Sequence, residues 1–503
     1  MIDSGAILLR GGRVADPLTA TVEKADLLIE GGRIARIGPP GTVIADGARP
    51  HDATDRLIVP GFVNSHTHGH ASLMKGVADR WTLEVSLTNG PWLGGARDPE
   101  TVYLSALVAA ADMLSKGCTS CFDLVYEFPL PTVEGFMAVA CAYADAGLRA
   151  VLAPMVADRS FYQSIPGLLD ALPADLGAAV DGVSLDGDAT LAAIEVIVAA
   201  CDDFPPGIEL AIAPTIPHHC SAGFLDRCVA LAERHGLPIH MHVAESRLQM
   251  VAAQQLWGKS PVAYLAERGV LRPGFIAAHA IWLDEADLDL LAEHDCAVAH
   301  IPASNLRLGS GVAPVRAMLD RGIAVGLATD GSNSSDALSM LQAMRLASYL
   351  SRAWDGPREA GLTAAETVRL ATVGGAGLLG QGDDGRIAVG APADLAFFDL
   401  AHIDFVPLTD PLNQLVTCAD SGSLADVMAA GRFVVADGRL VSPAVIGLGE
   451  RVDAARERLL PGLAAARDLS ARLETHVVAF ARDAAAVPLG MSRYLHGPTR
   501  GQA

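Results

Sequence analysis

Apolar and polar positions follow two regimes along the chain. At its start, apolar runs of four or five residues (6–9, 25–29, 33–37) are separated by the glycine pairs Gly11-Gly12 and Gly31-Gly32. Runs of that length, punctuated by glycine, predict hairpins. The same grammar returns after residue 385, in 385–399 and again in 427–439. Neither end carries enough apolar sequence for a core of its own. Together they predict one small β-sandwich domain shared between residues 1–60 and 385–445.

Between the ends the order becomes apolar strand, polar loop, helix, repeated. Strands are expected at 57–63, 120–124, 150–156, 208–213, 239–243, 275–278, 297–300 and 324–328. Helical periodicity marks 101–116, 132–146, 222–235, 261–269, 284–294, 312–321, 337–351 and 363–372. Eight strand slots, each followed by helical sequence, predict an α/β fold, a (β/α)8 TIM barrel over residues 61–384. A doubly wound open sheet satisfies the same alternation, because periodicity does not show closure. Residues 161–191 are longer than a short strand-to-helix connection and read either as a lid or as an insertion covered by solvent. Residues 446–503 form a C-terminal extension, helical over 449–485 and with little periodicity from 486 onward. It is expected to pack on its own subunit or at a dimer interface, with Tyr494 and His496 as residues through which it would reach a neighbour's site.

Composition narrows the function. The 503-residue chain is 51% hydrophobic and 19% charged, which suits compact folding. Aspartate and glutamate outnumber lysine and arginine 58 to 37, and the formal charge of -21 opposes attraction to phosphate backbones and anionic lipid. No nucleic-acid partner is therefore expected. Charges interrupt every apolar run before it reaches the roughly 18 to 20 residues of a membrane span, and no basic segment precedes an apolar one at the start. A cytoplasmic protein without membrane association is expected. Eight cysteines without regular pairing suit free thiols, and Cys118 and Cys121 read as core thiols in preference to a zinc or redox pair.

Polar residues with catalytic chemistry fall at the ends of the expected strands. His66 and His68 close the first apolar run, and the strand period of two puts both imidazoles on one side. His240, His242 and Glu245 end the fifth strand, His279 follows the sixth and Asp330 the eighth. In a barrel these ends share one rim and converge on its centre. Histidines and an aspartate can hold a borderline divalent metal, and a nearby glutamate can move protons to and from activated water. Singly, each has an ordinary reading: His279 as a hydrogen-bonded core histidine, Asp330 before Gly331 as a turn aspartate. Their common placement at strand ends is what argues for a site.

Pro60-Gly-Phe-Val-Asn-Ser-His66-Thr-His68, His240-Met-His242-Val-Ala-Glu245, Ala278-His279-Ala280, Pro302-Ala-Ser-Asn305 and Thr329-Asp330-Gly331 together resemble the motifs of the amidohydrolase superfamily. The branch they resemble contains cytosine deaminase, guanine deaminase, adenosylhomocysteine deaminase and the triazine-ring hydrolases, and the likeness spans about residues 3–445. It implies His66, His68, His242 and Asp330 as metal ligands, Glu245 as proton shuttle and His279 as hydrogen-bonding partner of the attacking water or the developing oxyanion, with Asp330 also acting on the water. His240 matches no ligand position. Superfamily members with two metals bridge them with a carboxylated lysine on the fourth strand, and residues 207–214 hold no lysine, so one divalent metal per subunit is expected. Zinc is the expected ion, although iron, manganese and cobalt accept the same nitrogen and oxygen ligands. The loops offer Asn89, Trp92, His218, His219, Asn305 and Ser332 as substrate contacts.

The implied reaction is hydrolytic deamination of an amino-substituted N-heterocycle, a purine, pterin, pyrimidine or s-triazine, by a homodimer or higher homo-oligomer that needs no nucleotide cofactor. Hydrolysis of a C–Cl, C–S or urea-type C–N bond uses the same machinery and stays open. A non-catalytic barrel scaffold is the reading from a different class.

Overall fold

The computed structural model describes residues 5–95, 97–182, 185–335, 337–353, 357–382 and 384–494. Parallel strands Phe62–His68, Cys118–Val125 and Arg149–Val156 pair in sequence order, and the short strands Ile208–Leu210 and Ala213–Pro214 fill the fourth position beside Arg149–Val156. Strands Ile239–Val243, Phe275–His279, Ala297–His300 and Ala324–Leu327 form the second half. The halves join through a parallel bridge between Ile212 and Ile239, and through Asp330–Gly331, which pairs with Thr67 and His68 of the first strand. The eight positions therefore close into a barrel, which excludes the open doubly wound sheet.

The barrel interior is narrow and apolar at its floor. Val63, Phe122, Val151 and Ile276 meet small side chains from other strands, Ala153, Ala213, Ala278, Ala299 and Ala328, and Leu378 and Leu379 seal them from below. A larger apolar layer, including Phe136, Tyr143, Phe224 and Leu288, fills the space between strands and surrounding helices.

The two chain ends meet in a nine-stranded mixed sheet. Its junction is the antiparallel pairing of Leu395–Asp399 with Arg56–Pro60, and Ile7–Asp16 in turn lies beside Arg56–Pro60. The apolar run expected as one strand over 57–63 is thus two strands serving two sheets. The chain changes sheet at Gly61, whose N–H donates to Asp394 O at 2.9 Å and where a Cβ would run into the Thr119 side chain. An uninterrupted apolar run hides such a switch.

Past the small sheet, helices Leu448–Leu459 and Ala464–Ala484 return to the barrel. Ala464–Ala484 lies along helix Leu83–Leu93 of the first loop, with Ser470 Oγ donating to Thr88 O at 2.9 Å. Leu473 and Val477 share a core with Phe161, Leu168, Leu172 and Val180. The apolar residues of 161–180 are therefore packed beneath the extension, and the extension rests on its own chain. Tyr494 lies edge-on to Trp282 of the same chain, ring centroids 5.2 Å apart, while His496 is outside the described residues. Among the described residues no helix is long and apolar enough to cross a membrane.

Candidate active site

Left-handed backbone at strand ends aims the site. Among residues other than glycine, Ala244 (φ 51°), His279 (66°), Ala280 (47°) and Asp330 (70°) adopt it at or just past the ends of the fifth, sixth and eighth strands. Each such residue costs on the order of 1 kcal/mol or more, a cost that functional sites tolerate when the surrounding fold enforces it. On the first strand a register shift against the second, between Asn64 and Thr67, accompanies the buried His66 and the partly buried His68. The loop beyond turns sharply at Gly69, whose N–H donates to Asp123 Oδ1 at 2.9 Å and whose missing Cβ leaves room for the Tyr143 hydroxyl.

These turns bring five side chains together. His68 Nε2 lies 3.3 Å from His242 Nε2 and 3.2 Å from Asp330 Oδ1, and His66 Nε2 lies 3.7 Å from the same oxygen. Ligand atoms of His66, His68 and Asp330, and of His66, His242 and His279, lie within 4.8 Å of one another, so the two sets overlap at His66 as one cluster. Hydrogen bonds from outside orient the rings. His68 Nδ1 donates to Leu124 O (2.9 Å) and His242 Nδ1 to Thr215 O (2.8 Å), which leaves both Nε2 atoms as lone-pair donors. Nitrogen lone pairs facing each other at that distance repel unless a cation lies between them. His66 Nε2 is likewise buried without a hydrogen-bonding partner. The donor set thus fits a divalent metal, and burial lowers the proton affinity of His66 and His242 so that both are neutral ligands.

Asp330 is the anionic member. Burial would raise its pKa, but His68, His279, the Ser304 hydroxyl (2.6 Å from Oδ2) and His242 outweigh burial and hold it below the ordinary carboxylate value. Glu245 is the opposite case. Burial, then the charges of Asp330 and Glu84, push its pKa well above the ordinary value. Its Oε2 has no hydrogen-bond partner and faces His279 Nε2 at 3.7 Å. His279 is held by Asn305, whose Oδ1 lies 2.8 Å from Nδ1.

His240, without a role in the sequence motif, lies 3.2 Å from His66 Nδ1 through its Nε2, edge-on to Phe122. His70 accepts the Tyr126 N–H at Nδ1 and closes the loop. Of the expected substrate contacts, Asn305 supports His279, and Ser332 is buried with Oγ 3.3 Å from Ser72 Oγ. His218 packs on Trp257 and His219 near Phe161; burial lowers their pKa values to about 3 and about 4. Asn89 and Trp92 are bonded to each other and line a cavity under the extension. Thr215, Leu124 and Ser304 support the cluster without having been singled out, because two act through backbone carbonyls that leave no mark in sequence. Asp123, a lone carboxylate within a fully buried strand, was the available signal for the Gly69 turn.

Comparison with known proteins places these features in context. Residues 57–434 match the model of the amidohydrolase family. The chain is 33% identical over 448 residues to the 5'-deoxyadenosine deaminase of Methanothermobacter thermautotrophicus, covering 87% of this chain and 95% of that protein. It is 33% identical over 453 residues to the 5-methylthioadenosine/S-adenosylhomocysteine deaminase of Syntrophobacter fumaroxidans, covering 89% and 96%. The crystal structure of an adenosine deaminase from Xanthomonas campestris with bound zinc superposes with a TM-score of 0.80 at 28% identity, covering 90% of this chain and 98% of that one. The zinc complex of atrazine chlorohydrolase from Arthrobacter aurescens TC1 gives a TM-score of 0.77 at 26% identity, covering 89% and 99%.

Proposed function

The chain belongs to the amidohydrolase family, and from that membership we propose that it deaminates an amino-substituted purine nucleoside of the 5'-modified adenosine type by hydrolysis. The relatives at 33% identity, aligned over at least 95% of their own lengths, support the nucleoside class. The observation that carries the reaction type is Glu245, a buried carboxylate with a free Oε2 beside a three-histidine, one-aspartate cluster.

His66, His68, His242 and Asp330 would hold one divalent metal, zinc being the expected ion, and when bound it supplies the Lewis acidity that makes water a nucleophile near neutral pH. Glu245 takes a proton from the attacking water and delivers it to the ring nitrogen next to the reacting carbon. Its raised proton affinity suits both halves of that transfer. With Asn305 Oδ1 accepting its Nδ1–H, His279 presents Nε2 as an acceptor and orients the water toward the ring. Asp330, kept ionised, accepts the second water proton once the C–O bond has formed and passes it to the amino nitrogen as the C–N bond breaks. The amino group leaves as ammonia and the ring carbon becomes a carbonyl.

The test is ammonia release by metal-replete protein from 5'-deoxyadenosine, 5-methylthioadenosine, S-adenosylhomocysteine, cytosine and melamine, with chloride release from atrazine in parallel. Ammonia from the adenosine compounds is expected, at a kcat/KM at least about tenfold above the other rings, the scale of one good polar contact. Chloride release without ammonia from any ring would replace deamination with the halide-hydrolysing reading that the likeness to atrazine chlorohydrolase keeps in view.

A further inference from the structure

The C-terminal extension does more than cover the first loop. Between it and that loop lies a cavity of about 390 Å3, lined on one side by Trp81, Asn89 and Trp92 and on the other by Arg456, Arg467 and Glu474. No member of the metal cluster lines it. Helix Leu83–Leu93 separates the two places: its Glu84 accepts the Ser246 hydroxyl at 2.8 Å, next to Glu245, while its Asn89 and Trp92 face the cavity.

The walls are built for a flat ring. Trp92 Nε1 donates to Asn89 Oδ1 at 2.7 Å and Asn89 Nδ2 to Val85 O at 2.9 Å, so the buried indole is fixed. Trp81 stands at 88° to it, ring centroids 6.5 Å apart, and offers a second aromatic wall.

The charges are arranged for an anion. On the same two helices, Arg458 pairs with Glu100 at 3.0 Å and Arg472 with Asp175 at 2.6 Å. The Arg456 and Arg467 side chains make no ion pair or hydrogen bond among the described residues, in a chain where acids outnumber bases 58 to 37. Arg456 Nε is buried without a partner, and the Arg467 guanidinium stands 5.5 Å from the centre of the Trp92 ring. Two guanidinium groups on separate helices that line one cavity with an aromatic wall, beside a Glu474 that makes no ion pair among the described residues, match a carboxylate with an attached ring N–H.

We propose that this cavity is a second small-molecule site, which takes a planar heteroaromatic carboxylate with its ring against Trp81 and Trp92, its carboxylate on Arg456 and Arg467, and a ring N–H toward Glu474. The site is independent of which bond the metal cluster hydrolyses.

Calorimetric titration of the full, metal-replete chain with indole-2-carboxylate tests it, with the neutral indole-2-methanol as control. One saturable site per chain is expected, with the carboxylate at least about tenfold tighter than the alcohol, the scale of one charge-assisted contact. Arg456→Gln and Arg467→Gln should each weaken the carboxylate by a similar factor while leaving the alcohol, metal content and turnover unchanged. Arg467→Lys should retain most of the affinity, and Trp81→Leu should weaken both ligands. Absence of a saturable site, equal affinity for acid and alcohol, or unchanged binding in both glutamine variants would overturn the proposal. Displacement of the probe by saturating 5'-deoxyadenosine would overturn it too, by placing the probe at the metal cluster.

Discussion

His66 uses both ring nitrogens: Nε2 faces the cluster and Nδ1 meets His240. With Nδ1–H donated, His240 Nε2 is the acceptor that fixes the ligand's tautomer, so His240 is a positioning residue. His240→Phe fills the space beside Phe122 but removes the acceptor, and should weaken metal binding by about 10–100-fold, measured by competition with a chelator; unchanged affinity would remove the role. Glu245 gives a pH prediction for the metal-free chain. Burial, then Asp330 and Glu84, raise its folded pKa, so its contribution is fully present below the ordinary carboxyl pKa and is lost as pH rises and the unfolded chain ionises first. Metal-free Glu245→Gln should therefore melt higher than metal-free wild type at about pH 8 and match it near pH 4. A constant difference across that range would contradict the burial argument. At this scale the sequence carried the cluster itself, because His66 and His68 keep strand period and the other members sit next to apolar runs. It did not carry the role of His240, since a motif shows which residues are near a site but not which nitrogen faces which atom.

At the scale of elements, the site depends on how strands end and how the barrel floor is closed. Gly375 opens the short helix Gly375–Leu378 under the barrel, where a Cβ would lie 2.7 Å from Val63 Cβ and 2.8 Å from Val63 O. Backbone cannot give way there as a flexible side-chain tip does. Gly375→Ala should cost about 1–3 kcal/mol, seen as a lower thermal midpoint with metal stoichiometry retained; an unchanged midpoint would show that the floor adjusts freely. Most strands and helices were legible from period: Ile239–Val243, Ala297–His300 and Ala222–His235 fall where the pattern puts them. The switch at Gly61 was not, because both strands are buried and apolar and only tertiary pairing with Leu395–Asp399 separates them. Nor was the order within 161–191, whose apolar residues find their partners about 300 positions away in Ala464–Ala484.

For the whole molecule, one chain supplies a closed barrel, a sheet that ties its two ends together, and an extension laid over the first loop of its own barrel. Barrel closure rests on the Ile212–Ile239 bridge and the pairing of Asp330 with Thr67, contacts between distant segments that alternation alone does not encode. Closure brings His66 and His68 to Asp330 across more than half the chain, and so it is the fold as a whole that makes the cluster hydrolytic. Metal retention falls to the histidines and Asp330, and proton transfer to Glu245. The most direct measurement is metal content and ammonia release from 5'-deoxyadenosine on one preparation of Glu245→Gln, beside wild type and His242→Ala. Glu245→Gln is expected to keep about one divalent metal per chain while turnover falls by about 10²–10⁴-fold, whereas His242→Ala loses metal and activity together. Equal metal loss in both variants, or undiminished turnover in Glu245→Gln, would contradict the division of labour.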